Sequence, residues 1–178
     1  MEYRLALLIA AMVDYDKGDA RRIHHFLKVH EYAAVIGCLE HVDADMQFIL
    51  ETAAIVHDIG IHLSEQKYGS SSGTYQEQEG PAEARFILTQ IGGYSETEIA
   101  RVCYLVGHHH TYTSIDGLDY QILVEADFLV NIFEDELTLV AIENIRRNIF
   151  KTSAGLRLLD LIYRNETLIP HVKIENEN

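Results

Sequence analysis

Apolar residues recur at helical spacing along nearly the whole chain, and no segment shows the period-two alternation of a half-buried strand. Only two prolines interrupt 178 residues, which favours long helices over a loop-rich fold. The pattern predicts an all-α protein with helices over roughly residues 2–15, 19–41, 45–58, 81–91, 95–109, 119–132, 138–150 and 153–163. Ser95 with Glu98 three residues later forms a capping box, Pro81 suits a first helical turn, and Ser153 is placed to cap the last helix.

The length is right for one domain with a sizeable core and short for two, so residues 1–170 read as a single domain and 171–178 as a polar C-terminal tail. An apolar fraction of 48% and a charged fraction of 24% are ordinary for a globular chain. The apolar N-terminal segment contains Glu2 and Arg4, is too short to span a bilayer and lacks the features of a signal peptide, which predicts a cytoplasmic protein without membrane association. Cys38 and Cys103 have no CxxC spacing and read as core thiols. Twenty-eight acidic residues against fourteen basic give a net charge of -14, which argues against a nucleic-acid polymer as partner. A small phosphorylated substrate is compatible with that charge, because bound divalent cations reverse the local field.

Within this background the segment Glu51-Thr-Ala-Ala-Ile-Val-His-Asp-Ile-Gly60 stands out. An apolar helical run ends in an imidazole beside a carboxylate, with Gly60 as a helix stop. Burying His57 and Asp58 against Ala53, Ala54, Ile55 and Val56 costs several kcal/mol unless each is hydrogen-bonded or bound to a cation. Three further places repeat the pattern. His25, Val29 and Ala33 share one helix face, which makes His25 the best ligand of its segment. His30, about 140° around the helix from it, is the reserve. His108, His109 and His110 end another apolar helix, where His110 also reads as an exposed cap. Asp127 lies in the middle of an apolar helix, between Ala126 and Phe128. Nitrogen and carboxylate oxygen without thiolate suit Mn, Fe, Zn, Ni or Mg, so a metal centre inside a helical bundle accounts for all four places together.

The segment from 62 to 80 shows no apolar period and contains Gly69-Ser-Ser-Ser-Gly73. It reads as a long loop following the His57-Asp58 pair, either a mobile insertion or an active-site lid.

The order His25, His57-Asp58, His108-His109, Asp127 resembles the HD-domain superfamily of metal-dependent phosphohydrolases, over about residues 21–133. The flanking residues Ala54-Ile-Val-His-Asp-Ile-Gly60 and Glu125-Ala-Asp127 carry the likeness. The resemblance implies a helical domain of about five core helices with one or two divalent metals at its centre, cobalt being a further candidate ion. It implies that His25, His57, Asp58 and Asp127 ligate the first metal, with Asp58 able to bridge to a second, and that His108 and His109 occupy second-site positions. The family's two-metal members place a histidine in a His-Gly context where this chain has Glu79-Gly80, so Glu79 is either a replacement ligand or a helix N-terminal charge.

The implied activity is phosphomonoester or phosphodiester hydrolysis of a nucleotide or another small phosphorylated metabolite. Asp58 is the candidate to hold or deprotonate the attacking water, with Lys28 beside it in catalysis. Lys28, Arg22 and Lys67 are the candidates to meet phosphate. Two alternatives share the ligand set: a di-iron oxygenase, and a non-catalytic metal- or nucleotide-binding module. Homo-oligomerisation is open at this level.

Overall fold

The computed structural model describes residues 2–164, all of them helix, turn or connection. The tail from 171 to 178 and the predicted domain limit at 170 lie outside the described residues. The helices are α1 (Tyr3–Tyr15), α2 (Ala20–Leu39), α3 (Ala44–Val56), α4 (Ile61–Tyr68), α5 (Gly73–Ile91), α6 (Glu96–Val106), α7 (Leu118–Glu134), α8 (Leu139–Asn148) and α9 (Ser153–Leu159), followed by a π-turn over Asp160–Arg164. None is long and apolar enough to cross a membrane.

The central helix is α3, which packs against α1, α2, α6 and α7. Its composition requires this: Leu50, Thr52, Ala53, Ala54, Ile55 and Val56 are all buried, and a helix apolar on every side must be enclosed. Around it α2 pairs with α7, and α5 with α6. Asp19, Asp43 and Thr138 cap α2, α3 and α8 by accepting main-chain N–H bonds, and Ser95 and Glu98 form the reciprocal capping box expected for α6. The cap of α9 is Thr152 rather than Ser153, which is already helical. Glu125 is buried in α7, where it accepts from Gln121, from the main-chain N–H groups of Lys151 and Thr152, and from the Thr152 hydroxyl, so it joins α7 to the start of α9. Cys103 is half-buried, but Cys38 is exposed near the end of α2 and is not a core thiol.

The 62–80 segment is not a long loop. It contains all but the first residue of α4, a short link, and the first eight residues of α5, so Pro81 lies inside a helix instead of starting one. Gly69, at φ +65°, ends α4. The apolar period is missing because inward-facing positions here are polar and satisfied. Ser64 bonds the Gly60 carbonyl at 2.8 Å, Gln76 bonds the Ser71 carbonyl at 2.7 Å, and Glu79 accepts from Lys67 and Tyr68.

Gly60 has a different role from that of a helix stop. Its φ of -72° is open to any residue, but a Cβ there would lie 2.6 Å from the Gln76 carbonyl oxygen and 2.8 Å from the Gly80 nitrogen. The start of α4 therefore meets α5 backbone to backbone, which fixes the path of the chain just after Asp58. Gly60→Ala is expected to destabilise the fold by about 1–3 kcal/mol, since main chain cannot yield as a side chain does. Urea unfolding checks this, and an unchanged midpoint would contradict the contact.

Candidate metal centre

Two turns and two helix interiors deliver the polar side chains. His57 is the C-cap of α3, and Asp58 follows in the tight turn into α4, where the Ile61 N–H bonds the Asp58 carbonyl at 3.0 Å. The second turn follows α6, which ends at Val106 with Gly107 as its cap and carries His108 to His110. His25 projects from α2 and Asp127 from α7, helices that pack directly on each other.

The nitrogen and oxygen atoms converge closely. His25 Nε2 lies 3.2 Å from His57 Nε2, 3.2 Å from Asp127 Oδ1 and 3.5 Å from Asp58 Oδ2. His57 Nε2 is 3.5 Å from Asp58 Oδ2 and 3.6 Å from Asp127 Oδ1, and His109 Nε2 is 3.4 Å from Asp58 Oδ1. His57 is fully buried and His109 nearly so, whereas the Asp58 side chain keeps 25% of its surface exposed. That exposed edge helps line a cavity of about 450 Å³, which Arg22, His25, Ser71, Gln76 and Asn131 also border.

The hydrogen bonds on the far sides of the rings fix what the near sides offer. His57 Nδ1 donates to the Ala54 carbonyl at 2.9 Å and His109 Nδ1 to the Val106 carbonyl at 2.7 Å. His25 Nδ1 meets the Glu134 carboxylate at 3.1 Å. Because those acceptors require a proton on Nδ1, neutral forms of all three rings aim an Nε2 lone pair at the cluster. Two lone pairs facing each other at 3.2 Å repel unless a cation or proton intervenes. His109 Nε2 is moreover buried without a hydrogen-bond partner. A divalent metal satisfies these atoms, and imidazole with carboxylate is an appropriate donor set for one. The residues present therefore fit the ion.

Electrostatics point the same way. Burial alone would disfavour a charged His57, but Asp58 and Asp127 outweigh it and push the imidazole up to about 9. Burial likewise favours neutral acids at Asp58 and Asp127, yet the surrounding imidazoles hold both well below the usual carboxylate range. The cluster thus attracts positive charge, whether a proton or a metal.

The structure brings His25, His57, Asp58, Asp127 and His109 together and sets other expected residues apart. His25, His57 and Asp58 form one group of potential ligands, which Asp127 adjoins at 3.2 Å from His25 and 3.6 Å from His57, and Asp58, His109 and His110 form a second. His108 is in neither: its Nδ1 bonds the Tyr104 carbonyl at 2.7 Å and its ring stacks on Tyr104. His110, read from the sequence as an exposed cap, instead takes the place expected for His108 in the second group, and its Nε2 lies 3.1 Å from Gln76 Oε1. Glu79 is in neither grouping, being engaged by Lys67 at 2.5 Å and Tyr68 at 2.7 Å. That pairing also takes Lys67 away from the cavity lining. Lys28 is ion-paired with Glu134 and does not line the cavity. Arg22 does line it, held by Glu65 at 2.7 Å, Asp19 at 3.3 Å and His62 at 2.9 Å. His30, the reserve ligand, pairs with Glu51 at 3.1 Å between α2 and α3.

Two contributors escaped the sequence reading. Asn131 donates to Asp127 Oδ1 at 2.9 Å, and Glu134 bonds His25. Their spacing of four and seven residues after Asp127 was the available signal, since such positions share a helix face.

No protein-family model and no curated protein sequence matches this chain. Among solved structures, the chain is similar to the crystal structure of a predicted HD superfamily hydrolase from an uncultured Thermotogales bacterium. The two are 24% identical, with a TM-score of 0.66, over 91% of this chain and 86% of that one. With the His and Asp side chains gathered at the centre of an all-helical bundle, this chain has the HD-domain fold.

Proposed function

We propose that the protein is a metal-dependent phosphohydrolase acting on a nucleotide or another small phosphorylated metabolite. The observation that carries this reading is the convergence of three Nε2 atoms on Asp58 and Asp127 beside a cavity of about 450 Å³, a volume suited to a small molecule. The solved structure of similar fold is described as a predicted hydrolase, which supports the same class.

His25, His57, Asp58 and Asp127 would hold the ion, and Asp58, His109 and His110 would hold a second if one binds. A divalent cation there supplies Lewis acidity, lowering the pKa of a coordinated water and offsetting charge on phosphoryl oxygens. The protein's own groups do the rest. Asp58 stays ionised and faces the cavity, so its carboxylate is placed to accept a hydrogen bond from the attacking water and orient it. Asn131 fixes Asp127 through Oδ1. Arg22, held at the cavity edge by Glu65 and His62, presents its guanidinium to a phosphoryl oxygen. The -14 charge disfavours polymeric nucleic acid as substrate.

Asp58→Asn is expected to lower phosphate release by about 10²–10⁴-fold across a panel of nucleotides and sugar phosphates with Mn, Co, Ni, Mg or Fe, while the fold is retained. Undiminished turnover would remove Asp58 from the reaction. Iron-dependent oxygen uptake without phosphate release would replace hydrolysis by the oxygenase reading.

Elemental analysis of protein purified without chelator should find a transition metal in the unmodified chain and a marked loss in His25→Ala. His30→Ala and His108→Ala should keep theirs, because neither ring joins the cluster. A loss with His30→Ala equal to that with His25→Ala would refute the assignment.

A further inference from the structure

The three inward-facing imidazoles are not held in the same way. His57 and His109 donate Nδ1–H to the carbonyls of Ala54 and Val106, main-chain acceptors three residues back that no side-chain substitution removes. His25 lies inside α2, where helix carbonyls are engaged by the helix itself. Its Nδ1 instead meets Oε2 of Glu134, the last residue of α7, at 3.1 Å. The other oxygen of Glu134 accepts from Lys28 Nζ, three residues beyond His25 on the same helix face. The side chains of His25 and Glu134 are only 9% and 12% exposed, so the bond between them is sheltered from water, while Lys28, 42% exposed, reaches Glu134 from the solvent side.

We infer that Glu134 is a positioning residue for the metal centre, an inference that rests on His25 being a ligand and holds whichever reaction the centre performs. By accepting the Nδ1–H bond, Glu134 keeps His25 in the tautomer and orientation that leave Nε2 free to ligate. Lys28 holds the carboxylate on the far side of the ring and balances its charge, which keeps Glu134 out of the cluster of Asp58 and Asp127. Among the three imidazoles, His25 is thereby the one whose geometry depends on a single replaceable side chain.

The bland account is that Glu134 merely ties α2 to α7. The molecule contains a control for it: His30 and Glu51 form the same kind of pair at 3.1 Å, tying α2 to α3 outside the cluster. The test is zinc affinity of the metal-free full chain, measured by competition with a chromophoric chelator. Glu134→Ala is expected to weaken zinc binding by about 10- to 100-fold. Glu134→Gln, whose amide oxygen still accepts the Nδ1–H bond, should lose far less, and Glu51→Ala should bind zinc as tightly as the unmodified protein. Long-range proton–nitrogen NMR of the zinc-loaded protein should show the His25 proton on Nδ1, with that signature retained in Glu134→Gln. Unchanged affinity in Glu134→Ala would overturn the inference, as would an equal loss in Glu51→Ala. If Glu134→Ala fails to fold, a Glu134→Gln variant as weak as His25→Ala would overturn it. Failure of the unmodified protein to bind zinc or any other divalent metal would instead overturn the metal-centre reading beneath it.

Discussion

Neither Asp127 nor His57 can be buried alone. An ionised carboxylate in an apolar interior costs several kcal/mol after relaxation, and a lone imidazolium fares no better. Placed within 3.6 Å of each other, and with His25 and Asp58 as close, each supplies the opposite charge that the other needs. The bundle's arrangement follows from this mutual dependence. Helices α2 and α7 must run side by side so that His25 reaches Asp127, and α3 must end where His57 can enter between them. The chain must then turn at once, which the backbone contact of Gly60 with α5 makes possible.

The same dependence explains why these clustered positions were legible in sequence. His25, His57 and Asp127 are polar residues among apolar neighbours, and buried polarity without a visible partner in the local sequence demands one from elsewhere in the fold. The turns were harder to read. The expected helix runs through residue 109 and the family resemblance points to His108 and His109 as the pair, but α6 stops at Val106, and the turn sends His108 to the Tyr104 carbonyl while His109 and His110 face Asp58. Glu134 escaped because the predicted helix ended at residue 132, whereas α7 runs on to Glu134 and so keeps that residue on the face of Asp127.

The α4–α5 region was illegible for a different reason. Apolar periodicity detects helices that bury hydrocarbon, yet here Ser64, Gln76 and Glu79 are buried and find hydrogen-bond partners nearby. Gly60 leaves out a side chain where the main chains of α4 and α5 touch, and Gly80 one that would meet the Val106 side chain. A polar, glycine-containing stretch resembles a loop in composition, but these helices are polar because they border the centre.

The distribution of cations constrains how such a site handles a phosphate. Lys28 is held by Glu134, Lys67 by Glu79, Arg21 by Asp135 at 3.3 Å, and Arg22 by Asp19 and Glu65. Each basic side chain near the cavity already faces a carboxylate, as expected where acids outnumber bases two to one. On the proposed function, an incoming phosphoryl group would meet guanidinium groups whose charge is largely balanced, and the main compensation for its own charge would fall to an ion held by the buried cluster. The same acidic surroundings that would repel a bare phosphate raise the site's affinity for divalent cations, so ligand recognition and metal occupancy are coupled through one field. On that proposal the paired arginine at the cavity edge would orient more than it attracts, and occupancy of the His57–Asp58 centre would decide whether an anion enters.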